Sequence, residues 1–128
     1  MSEKQMKNLD VSCAELGRNL ADIRDDRGKQ IEEKVFNEAL AVLDEQGPYA
    51  MFLYLKAKHK KVAEKVSNDS LAFLKDVFPG KLNGVNEILE AVKRLAEYLD
   101  DLLFARDLLL RALSYARYHL KAKEASTP

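Results

Sequence analysis

Residues 102–121 read LLFARDLLLRALSYARYHLK, and the spacing of the apolar side chains in this stretch decides the fold class. Apolar residues recur every three or four positions, as they do on one face of an α-helix. The expected buried set is Leu102, Ala105, Leu109, Ala112, Leu113, Ala116 and Leu120. The stretch therefore predicts a long last helix with one face in the core.

The same helical period continues through most of the chain, and alternating strand patterns are nearly absent. The other predicted helices cover residues 7–24, 29–43, 48–66 and 71–77, followed by one that starts near residue 84 and carries apolar positions up to Leu99. Gly47-Pro48 separates the second helix from the third, and Ser67–Ser70 predicts a polar break. Asp100-Asp101 fits either the cap of a new helix or the interior of a continuous one.

Length and composition agree with one globular domain. The 128 residues contain 47% hydrophobic and 33% charged residues, and this length is sufficient for a single core. We therefore predict an all-α fold, a single compact bundle of five or six helices over residues 1–128, with about 1–6 and 122–128 frayed. No apolar run reaches the roughly 18–20 residues of a membrane span, and the start has no apolar leader, so we expect a cytoplasmic protein without a membrane partner.

The net charge is zero, from 21 basic and 21 acidic residues, but the charge is unevenly distributed. Residues 1–46 carry a net charge of −4 and residues 67–101 a net charge of −3. Residues 47–66 carry +4 and residues 102–128 carry +3. Two basic helices among acidic ones could follow a phosphate backbone, so a zero total does not exclude a nucleic-acid partner.

The two basic helices supply the candidate phosphate-binding residues. On the third predicted helix, Lys58, Lys61 and Lys65 lie within about 60° of each other on a helical wheel. On the last helix, Arg106, Arg117 and Lys121 also fall within about 60°, and Arg111 lies beside them. The alternative is that lysines near a helix C-terminus complement the helix dipole and that a charge run is a solvated face. Tyr54, Tyr115 and Tyr118 accompany these cations, where they could stack on bases or cover the core edge.

No catalytic or metal-binding constellation is evident in the sequence, and we expect no cofactor. The two histidines, His59 and His119, lie on or near apolar arcs, which favours packed or boundary positions. Cys13 lies on the apolar stripe of the first helix, which favours a small buried side chain over a nucleophile. The adjacent carboxylate pairs, such as Asp25-Asp26, are typical of helix caps and solubilising charge. The glycines are mostly interpreted as helix punctuation.

Two segments resemble the small subunit of the Cmr complex, the type III-B CRISPR RNA-silencing effector. Gly47–Lys58, GPYAMFLYLKAK, is similar to the Gly-Leu-x-x-Ala-Leu-x-Phe-Leu-x-x-Lys segment of that family. Asp107–Arg117 is similar to the family's terminal Glu-Ala-Leu…Leu-x-Trp-Leu-Lys/Arg helix, with Tyr115 where the family has Trp. Pro48 and Gln46 also depart from the family pattern.

The resemblance implies a non-catalytic subunit that stacks in the minor filament along CRISPR RNA and target RNA. Its phosphate-facing residues would be Lys58, Lys61, Lys65, Arg106, Arg111, Arg117 and Lys121. Its acidic blocks would contact other effector subunits, or further copies of itself in a filament. Two alternatives remain open: a helical protein-interaction module without nucleic acid, which dimerises or docks a partner helix, and a small helical enzyme or toxin-like nuclease, which would need a His-Arg or carboxylate cluster and would lose activity in His119→Ala.

Overall fold

A computed structural model describes the backbone of residues 3–125 and the side chains of residues 8–124. Over this range the chain forms six helices and no strand, which confirms the predicted all-α bundle. The helices are α1 (Glu3–Ala21), α2 (Glu33–Gln46), α3 (Pro48–Lys58), α4 (Lys60–Val77), α5 (Ile88–Leu95) and α6 (Leu99–Ala125). Residues 3–6 and 122–125, which we expected to fray, lie within α1 and α6. Of the predicted frayed ends, 1–2 and 126–128 lie outside the described residues.

One continuous hydrophobic cluster joins the helices, and the predicted apolar faces supply most of it. The predicted face of the last helix is buried from Ala105 to Leu120, and Leu102 is partly buried. Side chains from α1 to α5 complete the core, with Phe36, Phe52 and Leu74 among the most deeply buried. Helix α6 packs against both α1 and α2, while α4 packs against α1, α3 and α5.

The contact between α1 and α6 depends on Gly17. A Cβ atom at this position would lie 2.6 Å from the carbonyl oxygen of Ala112 and 2.6 Å from Cβ of Tyr115. Both distances are far below van der Waals contact, so only glycine permits the two backbones to approach this closely. Interpreting Gly17 as helix punctuation was wrong, because it lies within α1 and serves packing.

Helices α2 and α6 are antiparallel and joined at both ends by charged side chains. Near the end of α2, the Arg106 guanidinium donates to the carbonyl oxygen of Asp44 at 3.1 Å and to its carboxylate at 3.0 Å. Near the start of α2, Glu33 lies 3.8 Å from Arg117 Nε and 3.3 Å from Lys121 Nζ. Glu33 and Asp44 are as far apart along α2 as Arg117 and Arg106 are along α6. The two sets of ion pairs therefore fix the register of these helices.

The prediction of one helix over 48–66 was wrong, because the helix breaks at His59. His59 has φ −142° and ψ 71°, so α3 ends at Lys58 and α4 begins at Lys60. The predicted break at Ser67–Ser70 was also wrong. Ser70 is small enough to occupy a core position, at 1% exposed, and the helical period from Val66 to Leu74 continues through it.

The turn between α5 and α6 settles the question of whether these helices are continuous. Helix α5 ends at Leu95, and α6 starts at Leu99 with Asp100 and Asp101 in its first turn. Carboxylates there complement the positive end of the helix dipole. Leu99 does not continue the buried face of the preceding helix, since it is 67% exposed.

Candidate nucleic-acid interface

Five lysines surround the break between α3 and α4: Lys56, Lys58, Lys60, Lys61 and Lys65, which we call the lysine face. All five are exposed, and none of their ammonium groups forms an ion pair within the part of the chain that the structure describes. Glu64 is the one carboxylate between residues 47 and 66. The lysine face therefore presents five ammonium groups to solvent without an ion-pair partner among the described residues.

The break at His59 places the lysines at the ends of two different helices. Lys56 and Lys58 lie in the last turn of α3, where cations complement the helix dipole. Lys60 and Lys61 lie in the first turn of α4, which contains no acidic residue and where the dipole disfavours cations. Helix stability accounts for the first pair of lysines but not for the second, so Lys60 and Lys61 are the better candidates for a role outside the fold.

The structure brings Lys61 and Lys65 together and separates Lys58 from them. Lys61 and Lys65 are one turn apart on α4 and line a cleft of about 620 Å³ against the α1–α2 loop, which contributes Arg24. The cleft also contains the carboxylates of Asp22, Asp25, Glu64 and Asp69. The cleft therefore carries both positive and negative charge. Lys58 ends α3, before the break, and does not line this cleft. The sequence wheel left out Lys56 and Lys60 because it assumed one continuous helix, and it could not include Arg24, which lies on a different segment of the chain.

The α1–α2 loop anchors the start of α4. Asp26 Oδ1 accepts a hydrogen bond of 3.1 Å from the backbone nitrogen of Lys61 and so caps α4 from another part of the chain. Asp25 Oδ1 accepts 2.9 Å bonds from the backbone nitrogens of Arg27 and Lys29, and the bond from Lys29 is the main reason why the pKa of Asp25 lies below its ordinary value. The prediction that Asp25-Asp26 acts as capping charge agrees with this arrangement.

A contact between α2 and α3 lies beside the break. The Tyr54 hydroxyl donates a hydrogen bond to Glu38 Oε2, which lowers the pKa of Glu38 and raises that of Tyr54. His59 Nε2 lies 3.9 Å from the same oxygen, and its ring is edge-on to that of Tyr54 at 6.5 Å. His59 is half-buried, in agreement with the boundary position expected from sequence. Tyr54 is committed to this contact rather than to a base-stacking position.

The basic residues of α6 differ from the lysine face, because each predicted one has an acidic partner inside the fold. Arg106 pairs with Asp44 and Asp107, Arg111 pairs with Asp10, and Arg117 and Lys121 share Glu33. Tyr115 also donates to Asp10, at 3.0 Å, which raises the pKa of Tyr115. The α6 cations join helices to one another, so the two predicted ridges are not equivalent. Tyr118, at 63% exposed, is the α6 tyrosine that remains open to solvent.

The one cysteine of the chain lies in the core. Cys13 is buried, its Sγ donates to the carbonyl oxygen of Leu108 at 3.7 Å, and burial raises its pKa to about 11. A thiol with this pKa is a poor nucleophile at neutral pH. No group of three or more His, Cys, Asp or Glu side chains in this range could hold a metal ion.

Two further observations concern the whole described chain. None of its helices is both long enough and apolar enough to cross a membrane. Comparison with protein-family models, curated proteins and solved structures finds no match to this chain.

Proposed function

We propose that the chain is a non-catalytic, RNA-associated structural subunit of a cytoplasmic ribonucleoprotein, with the type III-B CRISPR effector as the specific candidate. The lysine face carries this proposal, because it concentrates exposed ammonium groups that form no ion pair among the described residues. Phosphate groups of CRISPR RNA and target RNA are the expected ligands, and contacts of this kind are independent of sequence.

The resemblance to the Cmr small subunit supports the specific candidate. Gly47–Lys58 corresponds to α3 with its preceding glycine, and Gly47 has φ +95°, a conformation that favours glycine. The apolar positions Met51, Phe52 and Leu55 are buried, while Lys58 ends the helix in solvent. The segment thus has a core side and a charged end, as expected for a helix that positions a phosphate contact.

The proposal assigns different roles to the seven predicted residues. Lys58, Lys61 and Lys65 contact RNA phosphate, together with Lys56 and Lys60. Arg106, Arg111, Arg117 and Lys121 act mainly in stability, because a phosphate would have to displace an existing carboxylate from each of them. Other effector subunits, or further copies of this chain, would contact the acidic surfaces.

The test uses the tagged full chain expressed in its source cells, with ultraviolet cross-linking before purification. Wild type should recover CRISPR-derived RNA and several effector subunits. The triple variant Lys58→Gln/Lys61→Gln/Lys65→Gln should recover the same subunits with at least about tenfold less cross-linked RNA, because each lost phosphate contact removes charge-dependent affinity. Recovery of neither RNA nor effector subunits with wild type would overturn the proposal.

A matched control removes three other exposed lysines, in Lys29→Gln/Lys75→Gln/Lys93→Gln. It changes net charge by the same amount but should leave RNA recovery unchanged. In the recovered complex, the salt dependence of RNA affinity should fall by roughly 0.7 in slope per lysine contact for single-stranded RNA. Equal RNA recovery from both triple variants would show that the lysine face is not the contact.

A protein-interaction module without nucleic acid is the second candidate function. Exposed apolar residues at the start of α6, Leu99 and Leu103, favour it. It predicts that partner proteins are recovered without RNA, or that the purified chain is a stable homodimer by light scattering.

A further inference from the structure

The start of α6 presents an apolar surface that the described residues leave uncovered. Tyr98 is 64% exposed, Leu99 67%, Leu103 47% and Phe104 38%. Leu99 and Leu103 are one turn apart on α6, and Phe104 lies about 100° around the helix from Leu103. Single exposed apolar residues are ordinary, but four within seven positions concentrate exposed apolar surface at the start of α6.

A groove adjoins this patch. Phe104 packs edge-on against Phe78 at 5.9 Å, and both rings line a cavity of about 580 Å³ between α6, the end of α4 and α1. Leu9, Phe73 and Val77 also line the cavity. We call the groove together with Tyr98, Leu99 and Leu103 the α6 patch. It offers a ridge of side chains beside a depression, which is the shape that receives a helix.

Carboxylates surround the α6 patch. Asp76 and Asp101 line the groove, Asp100 lies between Leu99 and Phe104 in the chain, and Asp107 follows one turn after Leu103. Among the described residues, Lys81 is the one cation that lines the groove, and it pairs with Asp101. Within the described residues, Asp76 and Asp100 have no ion-pair partner. The surroundings of the α6 patch are therefore net acidic.

The fold explains only some of these carboxylates. Asp100 and Asp101 complement the dipole at the start of α6. Asp76 lies in the last turn of α4, where the dipole disfavours an acid, and Asp107 lies beyond the first turn of α6. Asp76 therefore reduces helix stability and increases the negative potential at the groove.

We propose that the α6 patch docks a cationic amphipathic helix of a partner protein. Two apolar side chains of that helix, one turn apart, would contact Leu99, Leu103 and Phe104, and flanking Lys or Arg would face Asp76 and Asp100. A helix needs no backbone partner from the receiving surface, and the described fold offers no open sheet edge. The proposal does not depend on RNA binding by the lysine face.

Charge complementarity distinguishes this occupant from two others. A symmetric contact with a second copy would place the Asp76 and Asp100 carboxylates of both copies near one another, which costs binding energy. A membrane surface rich in anionic lipids would repel the same carboxylates. A cationic helix is the occupant that satisfies the apolar and the charged parts of the surface together.

The direct test measures fluorescence anisotropy of a labelled, idealised Leu–Lys amphipathic helix, roughly 14 residues long, titrated with the full chain. We expect saturable binding, and at least about tenfold weaker binding of the Leu–Glu peptide with the same pattern. Leu99→Ser/Leu103→Ser should weaken binding of the Leu–Lys helix by about tenfold or more, because it removes the apolar contacts. Asp76→Asn/Asp100→Asn should weaken it and reduce its salt dependence.

The matched control is Val11→Ser/Tyr118→Ser, which also removes two side chains that are more than half exposed. All variants should retain the wild-type circular dichroism spectrum, since the changed side chains are on the surface. Absence of saturable binding, equal binding of the two peptides, or equal loss in the control would each overturn the proposal. Concentration-dependent dimerisation of wild type that Leu99→Ser/Leu103→Ser abolishes would assign the patch to a second copy and overturn it as well.

Discussion

The basic residues of α6 and those of the lysine face look alike in sequence but have opposite surroundings in the fold. Helix α6 packs against α1 and α2, whose facing edges carry Asp10, Glu33 and Asp44, so its cations meet carboxylates. The lysines at the α3–α4 break face solvent, and Lys60 and Lys61 oppose the helix dipole. A block of positive charge therefore indicates an external ligand only after its internal partners have been identified.

The largest expected effect concerns the close approach of α1 and α6. Gly17→Ala should destabilise the chain by about 1–3 kcal/mol, because the new Cβ meets backbone and Cβ atoms that cannot rotate away. Alanine's better helix propensity, worth about 1 kcal/mol, offsets only part of this cost. Urea denaturation followed by circular dichroism measures the change in the free energy of unfolding.

Asn19→Ala is the control for Gly17→Ala. Asn19 is exposed on the same helix, so alanine there improves helix propensity without a clash and should leave stability equal or slightly higher. If Gly17→Ala were as stable as Asn19→Ala, the two helices would not be held at the distance that the structure gives. The ion pair of Arg111 with Asp10 would then also be in doubt, because it joins α6 to α1.

The next effect separates the two basic regions directly. Arg106→Gln should lower the free energy of unfolding by about 1 kcal/mol, since it removes an ion pair and a hydrogen bond to a carbonyl at the end of α2. That end has no basic residue of its own in its last turn, so Arg106 supplies the missing cation. Chemical denaturation at low and high salt should show a smaller loss at high salt.

Lys58→Gln is the counterpart of Arg106→Gln on the lysine face. It changes charge by the same amount but should alter stability by less than about 0.5 kcal/mol, as is usual for an exposed residue without a partner. If Lys58→Gln were as destabilising as Arg106→Gln, the two basic regions would not differ in their contribution to the free energy of unfolding. In that case both basic regions would serve the fold.

Helical period predicted the fold class and most of the buried face of α6, because burial of an apolar face dominates the energy of a helical bundle, but it left out deeply buried side chains such as Phe36, Leu43 and Leu74. It failed at His59, where the apolar period of Met51 to Val66 continues across a backbone break that has no Gly or Pro to mark it. Polar composition predicted a break at Ser67–Ser70 that is absent, because composition does not show that the small side chain of Ser70 fits a core position.

The candidate site was less predictable than the fold. A helical wheel shows only the directions of residues on one helix. The ion-pair partners of Arg106, Arg111 and Arg117 lie on α1 and α2, far away in sequence. The same limit applies to Gly17, whose neighbours lie on α6. Only the packing of helices shows which charges are satisfied, so the sequence could identify both basic regions but could not distinguish them.

The smallest effect concerns the contact that holds α3 to α2 beside the lysine face. Because the Tyr54 hydroxyl donates to Glu38, the pKa of Glu38 in the folded chain is lower than its ordinary value. A carboxyl group of this kind contributes stability at pH values above its ordinary pKa, and the contribution is lost as the pH falls through the folded-state pKa. The Tyr54 pKa is raised, so the tyrosine's contribution is present below its ordinary pKa and is lost at strongly alkaline pH.

Tyr54→Phe should therefore raise the pKa of Glu38 towards its ordinary value, as measured by nuclear magnetic resonance titration of its side-chain carboxyl carbon. The variant should be less stable than wild type at pH 7, and the difference should become smaller below about pH 4, where Glu38 is protonated in the unfolded chain. Tyr118→Phe removes a hydroxyl from a mostly exposed ring and should change neither quantity. An unchanged Glu38 pKa in Tyr54→Phe would mean that this hydrogen bond does not hold α3 in place, and the position of the break beside it would have to depend on apolar packing alone.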